Sequence, residues 1–414
     1  MRFEERLHRQ LNIAGWDQRV LSEAPIGVVG DADLLASLFI MSASALGLNH
    51  IVVIAPSLDD QLLDMAQKIN PWFNLTFLKG FYTHPVLGDI FHGCKVIVDL
   101  SRYGLANKLI LEKGRQTHLP VIRGFGFEEK DNAGFKIYTY RRGREWEELE
   151  QVVSPVNLPD RHFDDPVLDI ICSGIVLEET KNILMGRKVS EEVISYRRKK
   201  LAPVRTDLAL GVVGAGALGN FVGLGLAYSG FQNITFIDPD AIEITNLNRQ
   251  VFFYDAVGLN KAEILAKKLN SKFGARAQSL VTYLKSDTDI SQFDIIFDCV
   301  DNFETKIVLS EKCEEHKKFL ISGGTNIDKG QVVVYDPKFG QGVPAALLGL
   351  YEIVDRRNLE TYRRLKESCV YQPDPSIIMT NQIIGGFMVD SLKKLLDGQE
   401  TMNIFYDATR DKRI

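Results

Sequence analysis

Between Gly211 and Lys261 the chain brings together a glycine turn, a strand-end acidic residue and a series of amide and cationic side chains. Gly214, Gly216 and Gly219 follow the apolar run Leu208 to Val213. A strand that runs into a glycine turn and then into a helix start presents backbone N–H groups to an anion, so this spacing suits a phosphate. Asp238 closes the next apolar run, Ile234 to Ile237, where a carboxylate would accept hydrogen bonds from a ribose. Beyond it, Asn246, Arg249, Gln250 and Lys261 supply donors of the kind a triphosphate requires in larger number than a dinucleotide pyrophosphate does. The chemistry indicated is the binding of a nucleotide polyphosphate.

The elements that position these residues occur twice. Gly27-Val28-Val29-Gly30 recurs as Gly211-Val212-Val213-Gly214, and each copy continues into an apolar helical pattern and a β-branched run, Ile51 to Ile54 and Ile234 to Ile237. Val96-Ile97-Val98-Asp99 matches Ile295-Ile296-Phe297-Asp298, and each copy closes with a helical segment ending in glycine, Ile170 to Gly186 and Gln382 to Gly398. The pattern predicts an α/β protein of two fused Rossmann-like domains, with mainly parallel sheets flanked by helices, arranged as a pseudo-dimer within one chain. The expected division is residues 1–190 and 191–414, joined by a charged linker near Gly186 to Asp207, with a crossover loop at about 340–375 in the second domain. The copies are not equal. After Gly30 the first copy has Asp31, Ala32, Asp33 and Leu34, which places carboxylates where a phosphate would sit. Arg102 stands three residues after Asp99 where Asp301 stands three after Asp298, and an arginine cannot ligate a metal. The first copy reads as a degenerate structural partner and the second as the working site.

Composition narrows the class. With 414 residues and 45% apolar content the chain can bury more than one core. A net charge of −5 argues against a nucleic-acid surface, and the charged start with short, serine-interrupted apolar stretches argues against a membrane segment, giving a soluble, cytoplasmic reading. Five scattered cysteines contain no C-x-x-C pair, and seven histidines show no ligand spacing, so neither a zinc knuckle nor a disulfide framework is encoded.

On these residues and on the repeat, the chain resembles the superfamily of ubiquitin-activating enzymes and the related ThiF- and MoeB-like adenylyltransferases of thiamine and molybdopterin biosynthesis, in a compact form with one inactive and one active adenylation domain. The resemblance implies ATP and Mg²⁺ as cofactors and adenylation of the C-terminal glycine of a ubiquitin-like protein. It implies that Gly214, Gly216 and Gly219 form the nucleotide turn, that Asp238 holds the ribose, and that Asn246, Arg249, Gln250 and Lys261 contact the triphosphate. Asp301, in Asp298-Cys299-Val300-Asp301-Asn302, is then the magnesium ligand, and Asn403 to Ala408 is the family's terminal strand. The family also sends an arginine from the partner domain, from an Arg-x-x-Arg-Gln segment. Here Arg6-Leu7-His8-Arg9-Gln10 makes Arg9 that residue, whereas Tyr196, Arg197 and Arg198 ahead of the second copy lack the glutamine.

Several positions carry two readings. Asp240 suits a contact to ribose or magnesium, or a turn cap. Cys299 reads as a buried structural thiol. Gly323 and Gly324 suggest close backbone approach where a target tail would lie, or a plain loop. Cys369 resembles the family's nucleophile, which would attack the acyl adenylate and form a thioester before transfer to a conjugating enzyme; a structural thiol and persulfide chemistry of the sulfur-carrier kind are the alternatives. The competing functions are a sulfur-carrier or peptide-modifying adenylyltransferase without a conjugating partner, an NAD-dependent oxidoreductase, and a non-catalytic scaffold. The target, and dimerisation beyond the fused pair, are not encoded legibly.

Overall fold

The computed structural model describes residues 3–31, 33–141, 153, 164–339, 342–354 and 375–414. The leading half comprises α1 (Phe3–Leu11), α2 (Gln18–Glu23), β1 (Pro25–Gly30), α3 (Asp33–Leu46), β2 (His50–Ala55), α4 (Asp60–Ile69), β3 (Asn74–Lys79), β4 (Val96–Leu100), α5 (Gly104–Thr117), β5 (Val121–Glu128), β6 (Asn132–Tyr140), α6 (Pro166–Leu184) and β7 (Ile194–Lys199). The trailing half comprises β8 (Leu210–Val213), α7 (Ala217–Tyr228), β9 (Ile234–Ile237), α8 (Lys261–Phe273), β10 (Gln278–Leu280), β11 (Ile295–Asp298), α9 (Phe303–Glu315), β12 (Phe319–Thr325), β13 (Lys329–Tyr335), the short α10 (Pro344–Leu347) and α11 (Leu350–Ile353), α12 (Ile378–Leu396) and β14 (Ile404–Asp407).

Two seven-stranded sheets result, ordered β3-β2-β1-β4-β5-β6-β7 and β10-β9-β8-β11-β12-β13-β14. In each, the first five strands run parallel, and antiparallel pairings then join the sixth to the fifth and the seventh to the sixth. The parallel strands β4, β8 and β11 are buried along their whole length, as continuous apolar runs covered by helices on both faces must be. The expected α/β pseudo-dimer is therefore the observed architecture. Strand order reverses between β1 and β4 and between β8 and β11, so a crevice opens at the carboxyl ends of β8 and β11, where the glycine turn and Asp301 lie.

The charged stretch expected to be a linker is instead partly strand. It contains β7, which pairs antiparallel with β6 and completes the first sheet. Arg198, in place of an apolar residue, is buried there: its Nε donates to Asp390 Oδ1 at 2.7 Å, and its Nη2 meets Asp165. The Tyr196 hydroxyl donates to the other Asp390 oxygen at 2.5 Å. Arg198 thus ties α12 of one half to the start of α6 of the other.

The halves share one apolar core. Helices α6 and α12 cross closely, with Gly174 against Ile383 and Gly386 against Ile171. Gln382 adds Nε2 bonds to Ile170 O at 3.0 Å and Ser173 Oγ at 2.7 Å. Helix α3 packs on α6, and α7 packs on α12. Among the described residues no helix is long and apolar enough to cross a membrane.

Candidate functional site

The glycine turn is built by two close approaches and one open space. Gly214 has φ +95°, a left-handed conformation, and a Cβ there would stand 2.7 Å from Cys299 O. A Cβ on Gly219, in the first turn of α7, would collide with the Gly214 carbonyl oxygen. Gly216 differs: the nearest atom to a Cβ there is Gln250 Nε2 at 3.8 Å. Gly216 is also the N-cap of α7 and offers no side-chain cap, so the first amides of a twelve-residue helix border that space.

Asp238 stitches this turn to the end of β9. Its Oδ2 accepts from Ala215 N at 2.7 Å and its Oδ1 from Asp240 N at 2.9 Å. Burial pushes its pKa up, against the nearby charge of Lys261 and the two backbone donors. Asp240 is not a helix cap; its carboxylate holds Lys261 Nζ at 2.8 Å, while Asn260 caps α8 by accepting from Glu263 N.

Asn246 closes a 3₁₀ turn, Ile244–Asn246, its Oδ1 accepting from Glu243 N at 3.0 Å. Arg249 is buried, with Nη1 donating to Thr245 O at 3.0 Å and to Asn248 Oδ1 at 2.7 Å. Burial pushes its pKa down to about 9, and the positive charge of Arg9 adds to that, while Asp301 and Glu243 oppose it. Arg9 comes from α1 of the leading half, which packs on that 3₁₀ turn. Two residues that sequence reasoning grouped with Arg249, Arg9 and Asp301, are thus each within electrostatic reach of it. Gln250 is buried beside them, and among the described residues its Oε1 has no hydrogen-bond partner. Two neighbouring guanidinium groups favour an anion, and the buried unpaired carbonyl oxygen gains from a ligand that also carries a hydrogen-bond donor, such as a hydroxyl or amino group.

Asp301 is exposed in the turn between β11 and α9, ahead of Asn302, whose Oδ1 caps α9 by accepting from Thr305 N at 2.8 Å. No cluster of three or more histidine, cysteine or acidic residues able to hold a metal occurs among the described residues. A lone carboxylate still fits magnesium that is chelated by nucleotide phosphates, because that ion takes one or two protein oxygens and keeps water for the rest. Asp298 is committed elsewhere, accepting from Val300 N, from Ser322 Oγ at 2.6 Å and from Lys306 Nζ at 3.0 Å. Lys306, which the sequence reading missed, also donates to Gly323 O at 2.7 Å. Cys299 is a buried thiol with its pKa pushed up by burial, in keeping with a structural role. Gly323 stands within β12, and a Cβ there would meet Met388 and Leu218. Cys369 lies outside the described residues.

The same places in the leading half are filled. Asp31 accepts from the Arg102 backbone N–H and pairs with Arg102 Nε at 3.4 Å. Asp99 faces the buried Arg123, whose Nε lies 3.5 Å from Asp99 Oδ2, and Asn107 Nδ2 donates to the same oxygen at 2.9 Å. Asn107 follows Asp99 at the interval by which Lys306 follows Asp298, and Arg123 pairs with Asp99 in the register that Ser322 holds with Asp298. One network therefore exists twice, with its cation moved from helix to strand.

A family model described as the ThiF family matches residues 198–410, more than half of the chain. The chain belongs to the ThiF family. The span matched to the ThiF family holds every candidate residue except Arg9, which the leading half contributes. Relatives include an adenylyltransferase and sulfurtransferase MOCS3 of Culex quinquefasciatus, 30% identical over 200 residues, covering 47% of this chain and 43% of that protein. A ubiquitin-like modifier-activating enzyme 5 of Branchiostoma floridae is 26% identical over 267 residues, covering 59% and 62%. The chain thus spans less than two thirds of the length of either relative. Among solved structures, E. coli MccB with ATP is similar at 23% identity and a TM-score of 0.42, over 50% of this chain and 63% of that one.

Outside the ThiF-family span, the closed leading pocket makes a pH prediction. Asp169, on α6, is buried, and its Oδ2 has no hydrogen-bond partner among the described residues. Burial raises its pKa well above the usual carboxylate value; Arg102 opposes this, and Asp165, Asp164 and Asp31 reinforce it. The folded chain thus keeps a proton that the unfolded chain releases near pH 4, so this group lowers stability as pH rises from about 4 to its folded pKa. In Asp169→Asn that loss disappears, and denaturant unfolding should show the variant gaining on the wild type by about 1.4 kcal/mol per pH unit across this window. A constant difference between pH 4 and pH 7 would contradict a protonated Asp169.

Proposed function

We propose that the chain is a Mg·ATP-dependent adenylyltransferase that activates the C-terminal glycine of a ubiquitin-like or sulfur-carrier protein. The observation that carries this reading is the asymmetry of the halves. The trailing turn has open space over Gly216, bordered by helix amides and Gln250 and near buried Arg249, whereas the leading turn is filled by Asp31 and Arg102. The names of the relatives, an adenylyltransferase and sulfurtransferase and a ubiquitin-like modifier-activating enzyme, support the same substrate class.

In this reading Gly216 and the start of α7 receive the phosphates, Asp238 faces the ribose, Asn246, Gln250 and Lys261 add contacts, and Arg9 and Arg249 balance charge on the polyphosphate. Asp301 would hold magnesium, which supplies further positive charge to the phosphates. The carboxylate of the target is already a nucleophile; it forms a bond to the α-phosphorus as the bond to the β-phosphate oxygen breaks, giving acyl adenylate and pyrophosphate. The protein's task is orientation and charge stabilisation. Cys369 then displaces AMP, its thiolate sulfur bonding to the acyl carbon to give a thioester. A conjugating enzyme would accept the acyl group.

The test is ATP–pyrophosphate exchange with a panel of small proteins ending in glycine, from genes neighbouring this one. Exchange is expected with one of them, falling by about 10²-fold or more in Asp301→Ala. In Cys369→Ser exchange should persist while a thiol-sensitive adduct disappears. Exchange without any such adduct in the wild type would favour the sulfur-carrier reading, which the Culex relative's name also suits. Failure to bind Mg·ATP would overturn both.

A further inference from the structure

Asn248 lies between Asn246 and Arg249, yet nothing in its local sequence marks a role for it. It is wholly buried, and its amide is fully used. Nδ2 donates to Gln10 Oε1 at 3.0 Å and to Ser376 O at 3.1 Å, and Oδ1 accepts from Arg249 Nη1 at 2.7 Å. The orientation of the amide follows from its partners, since the reverse would set N–H groups against a guanidinium and an oxygen against two oxygens.

Three parts of the chain meet at this side chain. Gln10 belongs to α1, next to Arg9, and its Nε2 is anchored on Leu46 O at 2.8 Å and Gln18 Oε1 at 2.6 Å. Ser376 lies where the chain enters α12. Arg249 is the guanidinium of the trailing site. Two like charges, Arg9 and Arg249, act together on one polyphosphate only if both are held in place before it arrives, because each otherwise moves away from the other.

We propose that Asn248 is a positioning residue: it fixes the Arg249 guanidinium and registers it against the Arg9-bearing helix of the other half. This rests on the nucleotide-site reading given above. The side chain does not itself touch nucleotide; it acts through Arg249.

Mg·ATP titration calorimetry on the full chain tests this with Asn248→Ala, Arg249→Ala and the double variant. Asn248→Ala should weaken Mg·ATP binding about tenfold in the wild-type background and less than twofold when Arg249 is already alanine. Equal factors in the two backgrounds, as a purely structural role gives, would overturn the proposal, as would unchanged affinity in Asn248→Ala. Should that variant not accumulate as folded protein, Asn248→Ser goes through the same cycle, where unequal factors support the role and equal factors overturn it. Wild-type protein that binds no Mg·ATP would remove the nucleotide site and this role together. Wild-type binding with an indifferent Asn248 would remove this role alone.

Discussion

In Arg9→Ala, ATP–pyrophosphate exchange with a competent acceptor falls by about 10³-fold while the melting temperature stays within a few degrees of the wild type. The size of the loss reflects what a guanidinium placed on a transferring phosphoryl group contributes from outside the domain that binds the nucleotide. The small effect on folding reflects how α1 is anchored. Arg6 Nη1 donates to Ala45 O at 2.7 Å and Gln10 to Leu46 O at 2.8 Å, both at the carboxyl end of α3, where cationic and amide donors satisfy terminal carbonyls. Leu7 is buried as well. Arg9→Lys should recover part of the rate, since it returns the charge without the planar fork. An Arg9→Ala variant with wild-type exchange would show that the leading half supplies no group to the reaction.

The second large effect is expected at Gly219. A side chain there strikes the Gly214 carbonyl oxygen, which is backbone and cannot rotate away, so Gly219→Val must open the turn. Mg·ATP affinity should fall by more than about 10²-fold, with a stability loss of about 1–3 kcal/mol from the forced shift. Gly216→Ala is the informative contrast. A methyl group at that position meets open space, so the fold should be unchanged, while the group stands in the volume assigned to phosphate and weakens binding by about tenfold. If Gly216→Ala binds Mg·ATP as the wild type does, the ligand does not lie over that glycine.

The doubled architecture was legible because parallel strands are apolar on both faces and repeat as recognisable runs, from Val28-Val29 to Ile296-Phe297. The glycine turn was legible because close backbone approach leaves a glycine at fixed spacing. β7 was not, since Ile194, Tyr196 and Arg198 point inward in alternation but one of them is an arginine, and a buried ion pair reads in sequence as a solvated charge run. Lys306 and Asn248 were missed for a related reason. Their partners, Gly323 and Gln10, are set by tertiary contact, and nothing in the local pattern marks them. Gly323 is ambiguous in sequence for the converse reason, because close approach by Met388 leaves the same mark as close approach by a ligand.

The continuous core beneath α6 and α12 bears on how the protein behaves when scarce. A site completed by a separate subunit loses its donor arginine as dilution favours dissociated chains, and specific activity then falls with concentration. Here the two halves travel on one polypeptide with a shared interior, so under the proposed function Arg9 is present at fixed effective concentration however few copies exist. Under the proposed function, specific turnover per chain should therefore not fall on dilution.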